Sequence, residues 1–301
     1  MILVTIILAL ALAYFRAPLT GIHNDRWLFT WLQRVSGWAW VTKLPAGQLL
    51  ISLALPVVGL YLLLDLLEGI PVLLLLVLEL WVLLYSFGRG DLRAELNTLQ
   101  GDLRRGDTQA AFHVGESLSA DKRKMVAFDL PVLAQELQQR IGYAYFERYL
   151  AAIFWSLLGG VAGALLYRLS VFYRASLVQQ VAQSDVGESG FDGYLQLRTA
   201  SRWLTVLEWL PLGLAGFTLS LVGQFGAGLS CWLTRWFSGR PSAEVLQDCV
   251  DDALDTVKIV AVGGIEITST ANIAASCGQI AQLFQRVLIV WLCLLALALV
   301  L

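Results

Sequence analysis

The sequence predicts an all-α integral membrane protein, a multi-pass helical bundle with cytoplasmic amphipathic helices. Three observations carry that expectation. The 301 residues are 57% hydrophobic and only 15% charged, with mean hydropathy +0.68, against about 25% charged in an ordinary soluble domain. Several uncharged apolar runs approach or exceed the roughly 20 residues that a bilayer requires of a helix. The polar stretches between them carry helix start and stop signals and no alternating strand pattern. Together these exclude a disordered chain, a collagen-like fibre and a typical cytosolic enzyme. The 21 basic and 23 acidic residues gather in a few stretches, and a net charge of −2 gives no electrostatic support for a nucleic-acid partner. The four cysteines, Cys231, Cys249, Cys277 and Cys293, form no CxxC pair and read as separate reduced thiols.

Taken in order, residues 1–15 are uncharged up to Arg16 and lack a basic leader, so they read as a short first span rather than a signal peptide. Residues 44–64 are an uncharged run and form the second span. Residues 70–87, interrupted only by Glu79, form the third. Residues 149–167 and 209–234 are also uncharged. Their glycines and Pro211 leave two readings open, a full crossing or partial insertion. The uncharged run after Arg286 makes the last span. Trp27 and Trp31 share a helix face with Arg34, which fits an interfacial helix and equally fits indoles packed on the bundle.

Charge orients the chain. Arg16, Arg26, Arg34 and Lys43 occupy the first loop, and nine basic residues lie from Arg89 to Arg148, whereas the linker holding Asp65 and Glu68 has none. Both basic segments are therefore cytoplasmic and both termini external. The expected division is a membrane part with three spans (1–87), a cytoplasmic helical segment (88–148), membrane-embedded or associated helices (149–234), a cytoplasmic helix and loop (235–285), and a final span (286–301).

Within 88–148 the pairs Gly90-Asp91, Gly101-Asp102 and Gly106-Asp107 should each end one helix and cap the next. The helix after Asp107 has Ala110, Ala111, Val114 and Leu118 as its apolar face. Pro131, just after Asp129, suits a first helical turn. His113 reads as a hydrogen-bonded structural residue or a proton carrier, and His23, beside Asn24, Asp25 and Arg26, as a solvated interfacial group.

After Pro241, Asp248, Asp251, Asp252 and Asp255 fall on one helical stripe. Such carboxylates suit a hard cation, but an amphipathic helix with Val245, Leu246, Cys249, Val250, Ala253, Leu254 and Val257 behind it explains the same spacing. Residues 263–279 are small and polar and read as a flexible connector. No GxxxxGK[ST], HExxH or GxSxG motif is present, and two histidines leave no Ser–His–Asp trio to propose.

Four segments in register, YSFGRGD (85–91), RRGDTQAAFH (104–113), IFWSLLGGVAGALLYR (153–168) and LEWLPLGL (207–214), resemble the AmpE family of bacterial inner-membrane proteins. The resemblance covers residues 1–235 and the final span. It implies a signalling modulator in β-lactamase regulation, linked to a cytosolic amidase of peptidoglycan fragments. That family is similar in turn to the CbiB/CobD cobinamide-phosphate synthases, membrane enzymes using ATP and magnesium. The polar signatures of the synthases are replaced here by Tyr143 and Ala144, by residues 171–175 (VFYRA), and by Leu204 and Thr205. No synthase catalytic residue carries over.

The expectation is therefore a regulatory modulator of the AmpE type in the inner membrane, more a binding protein than an enzyme, with no cofactor. Its partners are the lipid bilayer and a small-molecule or protein signal; Gly160, Gly163 and the last span offer faces for a homo-oligomer. One alternative is an enzyme on the synthase frame, using ATP with magnesium. Its candidate polar cluster is Arg89, Asp91, Arg104, Arg105, Asp107 and His113 on the cytoplasmic side, with Glu147 and Arg168 flanking the membrane segment. Two arginines beside an aspartate suit a phosphate and a cation; headgroup anchoring and helix capping explain them equally. A transporter is the other alternative, with Glu79 and Glu208 as intramembrane carboxylates.

Overall fold

The structure, a computed structural model, describes residues 2–15, 25–37, 45–67, 71–88, 90–121, 124–125, 129–183, 188–223, 229, 232–254 and 269–300. Among these there is no strand. The helices are α1 (Ile2–Phe15), α2 (Arg26–Ser36), α3 (Pro45–Leu66), α4 (Val72–Ser86), α5 (Leu92–Arg105), α6 (Thr108–Leu118) and α7 (Leu130–Tyr145). A π-helical turn (Phe146–Leu150) follows, then α8 (Ala151–Gln183), α9 (Glu188–Val222), α10 (Ser242–Leu254) and α11 (Thr270–Val300). The protein is an all-α, multi-pass helical membrane protein. Four helical stretches have the length and apolar composition to cross a bilayer: Ala46–Leu66, Leu130–Gln183, Gly193–Val222 and Thr270–Leu297. Leu3–Leu12 and Val72–Ser86 are shorter apolar helices.

The chain forms two compact units. The first comprises Met1–Gly90 and Ala151–Leu207, the second Asp91–Leu150 and Glu208–Leu301. In the first, α8 packs against α1, α3 and α4, α1 packs against α4, and α2 lies on α3. Ile6, Leu53, Leu83 and Tyr167 are buried in its core. Removing such side chains from lipid gains no hydrophobic energy, so the packing rests on dispersion and on internal hydrogen bonds.

In the second unit, α5 packs against α6 and α11, and α7 packs against α6, α10 and α11. Leu99, Leu103, Leu137 and Phe284 are fully buried there. Phe284 stacks on Tyr145 with centroids 5.3 Å apart.

Helix ends follow the capping signals in part. The Asp91 carboxylate accepts from the backbone N–H of Arg93 and Ala94, and Asp107 accepts from Ala110 N–H at 3.0 Å. Both satisfy donors that a helix start leaves open. Gly106 closes α5 at φ +79, its N–H bonding to the Leu103 carbonyl and the Asp107 N–H to the Asp102 carbonyl. That is a Schellman closure, which needs the left-handed residue. The expected break at Gly101-Asp102 does not occur, because α5 runs through it. Asp102 is buried and held by the Arg105 guanidinium, so its carboxylate serves a side-chain pair rather than a cap.

The connector expected at 263–279 is also shorter than the sequence implies: from Thr270 onward the small polar residues are helical. The Asn272 N–H bonds to the Ser269 carbonyl at 3.1 Å, and Ile273, Ala274 and Cys277 are buried. Small residues there let α11 approach its neighbours, as at Gly278 beside Gln100 of α5.

Leu130–Gln183 is 54 residues of nearly continuous helix, far more than the roughly 20 residues that one crossing requires. It is broken at Gly159 and Gly160. Gly160 has φ 63 and ψ −160, a region essentially restricted to glycine. The break also brings Gly163 so close to the Trp155 carbonyl that a Cβ would overlap it.

Candidate functional site

The candidate site in the first unit is a buried charged triad. Asp25 stands immediately before α2, Tyr85 in the last turn of α4, and Arg168 in the middle of α8. The Tyr85 hydroxyl donates to Asp25 Oδ1 at 3.0 Å, and Arg168 Nη2 lies 3.8 Å from Asp25 Oδ2. Asp25 makes no side-chain bond to its own helix start, because its carboxylate is turned to Tyr85 and Arg168. Both charged side chains are 7% exposed. Ions so far from water are costly unless paired, and the pair ties α2 to α8. The Nε of Arg168 is buried with no hydrogen-bond partner.

The second unit holds a comparable centre. Its π turn places Glu147 and Arg148 side by side, both buried. Arg148 Nη2 donates to Glu95 Oε2 of α5 at 3.0 Å and to the Leu118 carbonyl at the end of α6 at 3.3 Å. The guanidinium thereby satisfies a helix C-terminus and complements its dipole. Its Nη1 is buried without a partner. Single π turns of this kind recur at functional positions.

Glu79 and Glu208 both have hydroxyl donors. Tyr143 donates to Glu208 Oε1 at 2.7 Å, where Glu208 is buried. Thr5 donates to Glu79 Oε2 at 3.1 Å. Other sequence candidates lie elsewhere. Asp91 starts α5 and Arg104 and Arg105 end it, about 20 Å apart along the axis, so α5 does not bring them together. Asp107 caps α6. His113 is exposed on α6, 3.9 Å from Glu116. Arg89 lies outside the described residues, as do His23 and Asp255.

On α10, Asp248 receives Arg235 at 3.1 Å and Arg240 at 2.7 Å. Arg240 also donates to Glu244, and bonds to Asp248 first and Glu244 second raise its pKa. Asp251 accepts from Gln247 at 2.8 Å. Asp252 is half-buried. Among the described residues no group of three or more His, Cys, Asp or Glu is arranged to hold a metal ion.

Asp25 and Tyr85 are not among the sequence candidates. Asp25 sits in a polar run that reads as solvated, and nothing local announces that α4 and α8 close over it. Glu95 escapes the sequence for the same reason: its partner is more than fifty positions away.

An all-helical membrane body with charges buried inside each unit defines the class: a polytopic membrane protein whose polar groups are held within its packing. The chain belongs to the AmpE family. The family described as "Regulatory signalling modulator protein AmpE" matches residues 1–298. The chain is also similar to Protein AmpE of Shigella flexneri, 26% identical over 191 residues, which are 62% of each chain. The match thus spans less than two thirds of that relative's length. No solved structure matches.

Proposed function

We propose that this protein is an inner-membrane regulatory modulator in β-lactamase induction and the cell-wall stress response, acting by binding rather than by turnover. The observation that carries the reading is the family match along residues 1–298. The geometry supports it. Asp91 and Asp107 cap helices, Asp102 and Arg105 pair with each other, and Arg148 and Arg168 are packed into ion pairs. The Arg148 and Arg168 pairs fix separate elements against one another, and the caps and the Asp102–Arg105 pair hold single helices. Each buried arginine keeps one unpartnered donor, and an unsatisfied buried group raises the energy of the arrangement that contains it. A signal that binds one arrangement better than another shifts the population by its differential affinity.

The test has two arms. Cells lacking the gene are challenged with a β-lactam and read with a β-lactamase reporter. Altered induction, restored by the intact gene, is the expected result; unchanged induction refutes the role. In parallel, the purified protein is screened by thermal shift against muropeptide fragments, nucleotides with magnesium, and corrinoids. A ligand at 100 times its Kd adds about 2.7 kcal/mol. Stabilisation by muropeptide supports small-molecule sensing, and silence across the panel leaves a protein partner. Consumption of magnesium-ATP with a corrinoid would overturn the non-enzymatic part.

A further inference from the structure

Helix α11 marks where the second unit meets the bilayer. Residues 287–300 carry no charge, and Arg286 stands at their start. A long arginine side chain at such a position snorkels to headgroup level. α5 runs antiparallel to the part of α11 that precedes it. The Tyr145 side chain lies among Gln285 of α11 and Arg93 and Asp91 of α5, and a Cβ on Gly278 would lie 3.4 Å from Gln100. Seven residues back along α11 thus match seven forward along α5. The start of α5 is therefore at the depth of Arg286. The sequence agrees: the uncharged run after Glu79 stops at Gly88, just before Arg89 and Asp91.

The end of α6 returns to that depth. Arg148 bonds both Glu95, in the first turn of α5, and the Leu118 carbonyl that ends α6. Met125 is pinned at the same place. Its N–H donates to Glu116 Oε1 at 3.2 Å, and a Cβ on Gly115 would overlap its Sδ. Lys124 is therefore held beside the last turn of α6, exposed next to the buried Met125. Charges at this end are sorted by sign. Arg93, Lys124 and Arg286 are exposed. The carboxylates are engaged: Asp91 accepts from the N–H of Arg93 and Ala94, Glu95 holds Arg148, Glu116 holds Met125, and Asp121 and Glu147 are buried.

We propose that Arg93, Lys124 and Arg286 form one basic face that rests on the bilayer surface and binds the headgroups of anionic phospholipids. Exposed cations at headgroup depth attract net negative lipids, and the attraction weakens with salt. Lys122 and Arg123 precede Lys124 in the sequence and add to the positive charge. Arg104 and Arg105 end α5 about 20 Å from its start. They point the chain away from the lipid and take no part in this contact.

The experiment reconstitutes the full chain in phosphatidylcholine vesicles with a trace of spin-labelled phosphatidylglycerol or spin-labelled phosphatidylcholine. Electron paramagnetic resonance reads the share of each label held at the protein surface. The expected result is a several-fold preference for phosphatidylglycerol at low salt, largely lost at high salt. Lys124→Gln combined with Arg286→Gln should remove most of it, and Arg104→Gln combined with Arg105→Gln should leave it. Preference absent from the parent, or kept in the first variant, overturns the proposal. Loss in the second variant places the lipid face at the other end of α5 and overturns it too. Preference unchanged by salt overturns its electrostatic basis. A second measurement does not depend on those variants. In the chain with Cys231 and Cys293 changed to Ser, dye at Ser117→Cys, in the last turn of α6, should be quenched by headgroup-labelled lipid. Dye at Gln109→Cys, in its first turn, should not. Equal quenching at both positions, or the reverse order, overturns the placement.

Discussion

The indole of Trp155 donates its N–H to the carbonyl of Leu207 at 3.2 Å. That carbonyl is the one Pro211 leaves without a helical partner, because proline has no N–H to return to position i−4. The same device occurs in α3, where Pro56 frees the Ser52 carbonyl and Trp31 donates to it at 3.1 Å. In a bilayer an unmet carbonyl has no water to turn to, so each proline is matched by a tryptophan.

Replacing Trp155 by Phe should cost about 1–3 kcal/mol, the penalty of leaving a buried acceptor unmet. The same change in a Pro211→Ala background should cost less, since alanine at that position returns the backbone donor. Denaturant titration of the four proteins in detergent measures the coupling; a vanishing coupling would show that Trp155 stabilises by packing alone.

Gly160→Ala should destabilise by about 1–3 kcal/mol, because a side chain is strained at φ 63 and ψ −160. Gly159→Ala is the control: its φ is −118 and a Cβ there meets nothing within 4 Å. Equal thermal shifts for both would contradict the assignment of the break to Gly160.

Breaking the Asp25–Arg168 pair from one side should be worse than removing it. Arg168→Met or Asp25→Leu alone should lose about 3–5 kcal/mol, leaving a buried charge uncompensated, while the double variant recovers much of the loss. Thermal unfolding of the three proteins reads this directly. Additive losses would mean that the two groups do not act as a pair.

In α5, Gly101→Ala should stabilise by about 0.5–1 kcal/mol, since Gly101 is helical with nothing within 4 Å of an added Cβ. Asp91→Ala should cost about 1 kcal/mol through loss of the N-cap, seen as faster amide exchange at Arg93 and Ala94. Exchange unchanged at those two amides would assign the start of α5 to something other than Asp91.

Much of the fold is legible from composition and run length, because hydropathy acts locally and lipid imposes helix on any apolar stretch that enters it. Asp91, Asp107 and Gly106 are readable as caps for a similar reason, since capping is settled within four residues. Asp102 misleads because its role depends on burial beside Arg105. Arg168 stands out in the sequence but its partner does not: Asp25 lies 143 positions earlier in a run that looks solvated.

Local pattern was thus enough to establish a helical membrane protein, the places of its long apolar runs, and the way several helices begin and end, since each depends on residues within a turn or two. Three relationships emerge only when the helices are packed: Asp25, Tyr85 and Arg168 meet, Arg148 pairs with Glu95, and two tryptophans fold back onto the glycines of α9. Those outcomes depend on which distant helices share a burial site, where an unpaired charge or donor costs several kcal/mol, and no local pattern encodes that choice.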